Sequence, residues 1–242
     1  EYQMISIPFN SKGQTVSELF LDNLGNYDNT KFRVFDWDQA DSEFIELKDM
    51  AQKLPPGKAL YLITKESKVL DINDCVTTKT DKPYALDLKK GWNMISVPFA
   101  FPVSWTDIHQ FNNGTDLNYW NGKSWEKPDV LEPFKGYGFY ATSDTVLYVP
   151  ARESTLQKTE NLTGKSGMNS GKDEWYFRIS AKRGAHSDEC NYAGVHDGST
   201  DNLDRWDSHE PPGIGDYISL FFTEFSGTKQ PVQLSSDFIE LM

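Results

Sequence analysis

The sequence predicts an all-β protein with minor helix: two tandem β-repeat units followed by a C-terminal β-sandwich. Three observations lead there. A six-residue strand motif occurs twice, 90 residues apart. Short apolar stretches alternate with polar residues at period two and are bounded by Gly, Pro and Asn-Gly. Few segments carry the 3.6-residue spacing of a helix.

The motif is Met4-Ile5-Ser6-Ile7-Pro8-Phe9, repeated as Met94-Ile95-Ser96-Val97-Pro98-Phe99. Its alternation predicts a strand, ended where proline removes a ladder donor. A short helix is expected next in the first copy. Val16, Leu19, Phe20 and Leu24 fall on one helical face, with Thr15 as N-cap and Glu18 three residues on, the signature of a capping box. A shorter counterpart is expected from Trp105 to Phe111. Val34-Phe35-Asp36-Trp37 then matches Leu117-Asn118-Tyr119-Trp120, and Asn121-Gly122 predicts a type I′ hairpin turn towards Trp125. Leu54 to Tyr61 matches Leu131 to Tyr140, and each copy is expected to close on an apolar strand, near Val69-Leu70 and at Val146 to Val149.

The units are therefore placed at 1–88 and 89–150. Residues 151–172, rich in Ser, Thr, Lys and Gly, read as a flexible connector. Residues 173–242 read as the C-terminal module, with strands expected at Trp175 to Ala181, Tyr217 to Phe222 and Asp237 to Leu241 and a long polar loop after the first.

Composition narrows the function classes. The 242 residues carry 24 Lys and Arg against 36 Asp and Glu, a formal net charge of −12, and 14% are aromatic. Such acidity disfavours nucleic acid and anionic membrane surfaces as partners, and the aromatic content disfavours disorder. No apolar run is long enough for a transmembrane helix. The chain opens without an initiator Met or signal peptide and reads as a mature or excised fragment. Cys75 and Cys190 fit no paired motif, and free thiols are expected. Asn113-Gly114-Thr115 and Asn161-Leu162-Thr163 match the glycosylation triplet.

Gly91-Trp92-Asn93-Met94-Ile95-Ser96-Val97-Pro98, with Leu131 to Tyr137 downstream, resembles the GWNLISxP modules of multidomain secreted bacterial and archaeal proteins. The third unit, with Trp175 to Ala181, Asp188, Asn191, Gly194 and Asp204 to Pro212, resembles the module that often follows such repeats near a cell-surface sorting signal. The resemblance implies a secreted or surface-anchored, non-catalytic accessory region attached to a hydrolase or adhesin. It transfers no catalytic residue.

Two constellations are candidates for binding. The aromatic set Trp37, Tyr119, Trp120, Trp125 and Tyr137 fits either core packing or a platform on which the rings of a polysaccharide stack. Residues 188–216 hold eight carboxylates against Arg205, a local charge of −7. Asp188, Asn191, Asp197, Asp201 and Asp204 would be the ligands of a structural Ca²⁺, the alternative being a solvated loop. His186, His196 and His209 with Cys190 are a weak zinc or thiol set, because the interspersed glycines oppose the helix that would make them converge. No G-x-S-x-G, H-E-x-x-H or P-loop motif is present. The expectation is a non-enzymatic glycan binder linked to other domains of a larger secreted protein, with a structural or adhesive spacer as the competing class.

Overall fold

The computed structural model describes residues 2–72, 74–109, 117–155, 175–204, 206–224 and 232–240. Both glycosylation triplets, Phe111, most of the connector, Arg205, Leu241 and the Cys190 side chain lie outside the described residues. Strand makes up 44% and helix 7%, arranged in several antiparallel sheets. Two compact units form, residues 1–122 with 127–155, and residues 123–126 with 156–242.

The first copy contains β1 (Gln3–Ser6), β2 (Phe9–Asn10), α1 (Val16–Leu24), β3 (Phe32–Asp38), β4 (Glu43–Glu46), β5 (Ala59–Thr64) and β6 (Val76–Thr77). It is followed by β7 (Tyr84–Leu88), β8 (Gly91–Ile95), β9 (Val103–Ser104), α2 (Trp105–His109), β10 (Leu117–Trp120), β11 (Trp125–Glu126), β12 (Val130–Leu131), β13 (Tyr137–Ala141) and β14 (Thr145–Val149). The capping box of α1 is present. The Thr15 amide donates to Glu18 Oε2 at 2.7 Å and the Glu18 amide donates to Thr15 Oγ1 at 3.2 Å, satisfying two donors that helix geometry leaves unpaired. Val16, Leu19 and Phe20 turn inward.

The repeat is carried into strand register. Ile5 pairs with Leu60 where Ile95 pairs with Tyr137, and Val34 pairs with Leu62 where Leu117 pairs with Phe139. The helix entrance repeats too: the Val16 amide donates to the Gln52 carbonyl and the Trp105 amide to the Asp129 carbonyl, both at 2.8 Å. Each copy has its own apolar core, one around Ile7, Phe20, Val34, Leu54 and Leu60, the other around Val97, Phe99, Leu117, Tyr137 and Leu147.

Two expectations change here. Val69-Leu70 forms no strand; Val69 is exposed. The strand pairing with β14 is instead β7, and Leu86 and Leu88 of β7 lie in the second core. Between β10 and β11 the chain takes four residues, 121–124, and Gly122 has φ 95° while Asn121 has no positive φ, so the turn is not the two-residue type I′ form.

The copies meet reciprocally. The Ser6 amide donates to the Phe134 carbonyl at 3.1 Å and the Ser96 amide to the Gly57 carbonyl at 2.8 Å. Ser6 Oγ donates to the Lys135 carbonyl at 2.9 Å and Ser96 Oγ to the Lys58 carbonyl at 3.2 Å. Residue i contacts j and its counterpart j contacts i, the pattern of an isologous dimer written into one chain. Met4, Phe35, Ala59, Tyr61, Met94 and Trp120 are buried but belong to neither core. Gly136 comes close to the first copy, since a Cβ built there would lie 2.5 Å from the Ala59 Cβ and 2.8 Å from the Met4 Cβ.

The second unit contains β15 (Trp175–Arg183), β16 (His186–His196), β17 (Ser208–His209), β18 (Phe222–Glu224) and β19 (Val232–Glu240), which form one five-stranded sheet. β16 occupies sequence expected to be loop, and of the segment Tyr217 to Phe222 only Phe222 is in a strand. β15 and β16 form a hairpin across Gly184, at φ 63°, and β16 pairs in parallel with β19. β15 pairs along His186 to Asn191 and β19 only along Tyr192 to His196, so the hairpin with β15 is what overrides the polar composition of the first half of β16.

Ala59 and Gly136 are equivalent positions, so one of the two must lack a side chain. Gly136→Ala should cost about 1–3 kcal/mol by overpacking, and the exchange A59G/G136A should recover the part due to the Ala59 Cβ while the contact with the Met4 Cβ remains. Urea unfolding of the single variants and the exchange measures this; simple additivity of the two losses would show that the contact does not couple the copies.

Candidate functional site

The predicted aromatic set does not assemble into one exposed face. Tyr137 is 1% exposed and lies in the second core. Its register explains this, because it stands where the first copy has the core residue Leu60. Its hydroxyl accepts from the Glu132 amide at 2.7 Å, and burial pushes its pKa up. Trp120 is 7% exposed, because it alternates away from Leu117 onto the second face of its sheet, which is also covered.

Tyr119 is half-buried, tilted against Tyr137 at 5.7 Å between centroids, with Lys135 Nζ 4.9 Å above its ring. Trp37 is half-buried and meets Phe44 edge-on at 4.8 Å; Phe44 in turn meets Tyr61 at 5.0 Å. Trp125 is half-buried and falls in the second unit. Trp37, Asp36, Lys58, Tyr84 and Asn93 also wall a cleft of about 380 Å³. Asp36, Lys58 and Asn93 already have protein partners, while Trp37 Nε1 is buried without one. Asp36 accepts from the Trp37 amide at 2.9 Å and pairs with Lys58, and Asn93 Nδ2 donates to the Lys89 and Gly91 carbonyls.

The five predicted Ca²⁺ ligands do not converge. Asp188 and Asn191 sit on β16, while Asp197 follows its end; nine residues of strand at about 3.3 Å each separate Asp188 from Asp197 by about 30 Å. Asp188 is buried, accepting from Asn191 Nδ2 at 2.7 Å and from the Leu220 amide at 2.6 Å. Asp204 accepts from the Thr200 amide at 2.6 Å and the Trp206 amide at 2.8 Å, capping its own turn. Asp197 and Asp201 are exposed. Among the described residues no group of three His, Cys, Asp or Glu is arranged to hold a metal.

The histidines are likewise separated. His186 and His196 stand at opposite ends of β16, and the His196 ring lies 3.7 Å from that of Trp206. Burial lowers the His209 pKa to about 4.

A run of exposed aromatics lies elsewhere, at the start of β15. Trp175 is 55% exposed, Tyr176 51% and Phe177 45%. β15 ends the strand order of its sheet among the described residues. Period-two alternation puts Trp175 and Phe177 on one face, with ring centroids 6.0 Å apart and planes within 14° of parallel. Tyr176 points to the other face, opposite Gly194, where a Cβ would lie 2.8 Å from the Tyr176 Cβ. Sequence reasoning recognised the strand and missed the surface. The signal was the run of three consecutive aromatics, which alternation distributes over both faces.

Against known protein families, curated proteins and solved structures, the chain has no match.

The unfolded chain takes up a proton on His209 near pH 6.5, whereas the folded chain takes it up only near 4. The stability held by the neutral imidazole is complete above about pH 6.5 and is lost as the pH falls towards 4. The unfolding temperature should therefore drop between pH 7 and pH 4.5, and His209→Gln should drop less. Equal drops in both proteins would remove His209 as the cause.

Proposed function

We propose that this chain is a non-catalytic, secreted or cell-surface accessory module that binds a polysaccharide or surface glycan, and that the rings of Trp175 and Phe177 make the contact. The observation that carries the reading is the near-parallel pair of half-exposed rings on one face of an edge strand. Aromatic faces stack on the CH-lined faces of sugar rings, and a pair held on one strand presents them without further ordering of the backbone. The resemblance of the two repeats and of the third unit to modules of secreted proteins agrees with that role.

A second reading keeps the same residues. Tyr176 is exposed on the opposite face, and aromatics on both faces of a strand also fit a surface that docks a neighbouring domain of a larger protein, which would make this chain a structural spacer.

Affinity electrophoresis in gels containing soluble glycans separates the two. The wild type should be retarded, and W175A/F177A should lose about tenfold or more in affinity with its unfolding temperature unchanged, since neither ring is in a core. No retardation of the wild type by any glycan would favour the spacer.

A further inference from the structure

Extending the glycan-binding reading to the other face of the strand, we propose that the side of β15 opposite Trp175 and Phe177 takes an acidic glycan, a linear polysaccharide carrying carboxylates. In a chain of net charge −12, β15 holds Arg178, Lys182 and Arg183 and no carboxylate. Arg183 is paired with Asp216. Arg178 and Lys182 have no ion-pair partner among the described residues, and both are exposed.

The arrangement of these side chains is regular. Tyr176, Arg178, Ser180 and Lys182 alternate onto one face, and all four are exposed. At about 3.3 Å per residue the row runs about 20 Å, with the two cations about 13 Å apart. It thus offers an aromatic ring for stacking, a guanidinium for bidentate contact with a carboxylate, a hydroxyl, and an ammonium. On the facing stretch of β16 the register shifts between Ile179 and Ala181, so that residues 189 and 190 together stand opposite Ser180. Glu189 is the exposed carboxylate there, while Asp188 is buried and committed to Asn191 and Leu220.

An acidic peptide adding as a further strand fits less well. Edge cations such as Lys182 and Arg183 oppose backbone pairing, whereas a glycan needs only the side chains.

The test compares the full chain on polygalacturonate and on the same polymer fully methyl-esterified, with poly-L-glutamate as a second polyanion. The wild type should prefer polygalacturonate to its neutral ester, and the preference should shrink as salt is raised. R178Q/K182Q should lose about tenfold in affinity for polygalacturonate, keep its affinity for the ester and keep its unfolding temperature. Equal binding of acid and ester, or an unchanged double variant, overturns the inference while leaving glycan binding standing. Equal binding of poly-L-glutamate and polygalacturonate overturns it in favour of a general polyanion or peptide surface. Failure to bind polygalacturonate and its ester alike overturns this inference, and the glycan reading falls with it only if no other glycan retards the wild type.

Discussion

The first unit depends on one hydrogen-bonded exchange made twice. Ser6 and Ser96 each give an amide and a hydroxyl proton to carbonyls of the other copy, at Phe134 and Lys135 and at Gly57 and Lys58. Each such bond contributes only about 1 kcal/mol net, yet a buried carbonyl left without it costs more. The exchange therefore dictates backbone shape. Gly57 and Phe134, the residues whose carbonyls receive the amides, both have positive φ, 85° and 68°. It also dictates side-chain size, since Ala59 and Gly136 stand so close that only one can carry a Cβ.

Within that constraint the copies have diverged. At Gly57 a Cβ would lie 2.2 Å from Leu86 Cδ2, so glycine serves both conformation and space. At the equivalent position Phe134 holds a left-handed conformation that bulky residues rarely adopt and sets its half-exposed ring edge-on to Phe9 at 6.0 Å. The equivalent lysines differ in the same way. Lys58 pairs with the buried carboxylate of Asp36, whereas Lys135 sits over the ring of Tyr119, the residue standing where the first copy has Asp36. A symmetric backbone thus carries two different local chemistries.

The second unit is built on other terms. Leu234 is its one fully buried aliphatic side chain among the described residues, while Asp188, Asn191, Ser199, Asp207, Ser235 and Ser236 are buried as well. Buried polar groups hold structure only when hydrogen-bonded, and Asp188 and Ser236 illustrate it, with Ser236 Oγ donating to the Trp206 carbonyl at 3.2 Å. Asp188 and Asp204, which composition makes look like cation ligands, are occupied as acceptors for backbone amides. The aromatic rings of β15 are left outside this network, where they are available to a partner.

The repeat, the β class and the α1 capping box were legible in the amino-acid sequence, because period, proline and capping chemistry act over a few residues. The same local rules could not tell a strand buried on one face from one buried on both, which is why Trp120 and Tyr137 read equally well as platform or core. Nor could they place β16, whose polar first half becomes a strand through pairing with β15. Exposure is decided by what lies opposite a side chain, and that neighbour is set by chain segments distant in sequence. The sequence by itself determined which residues repeat and which alternate; the tertiary structure alone decided that Trp175 and Phe177, and not the aromatics of the repeats, form the open pair.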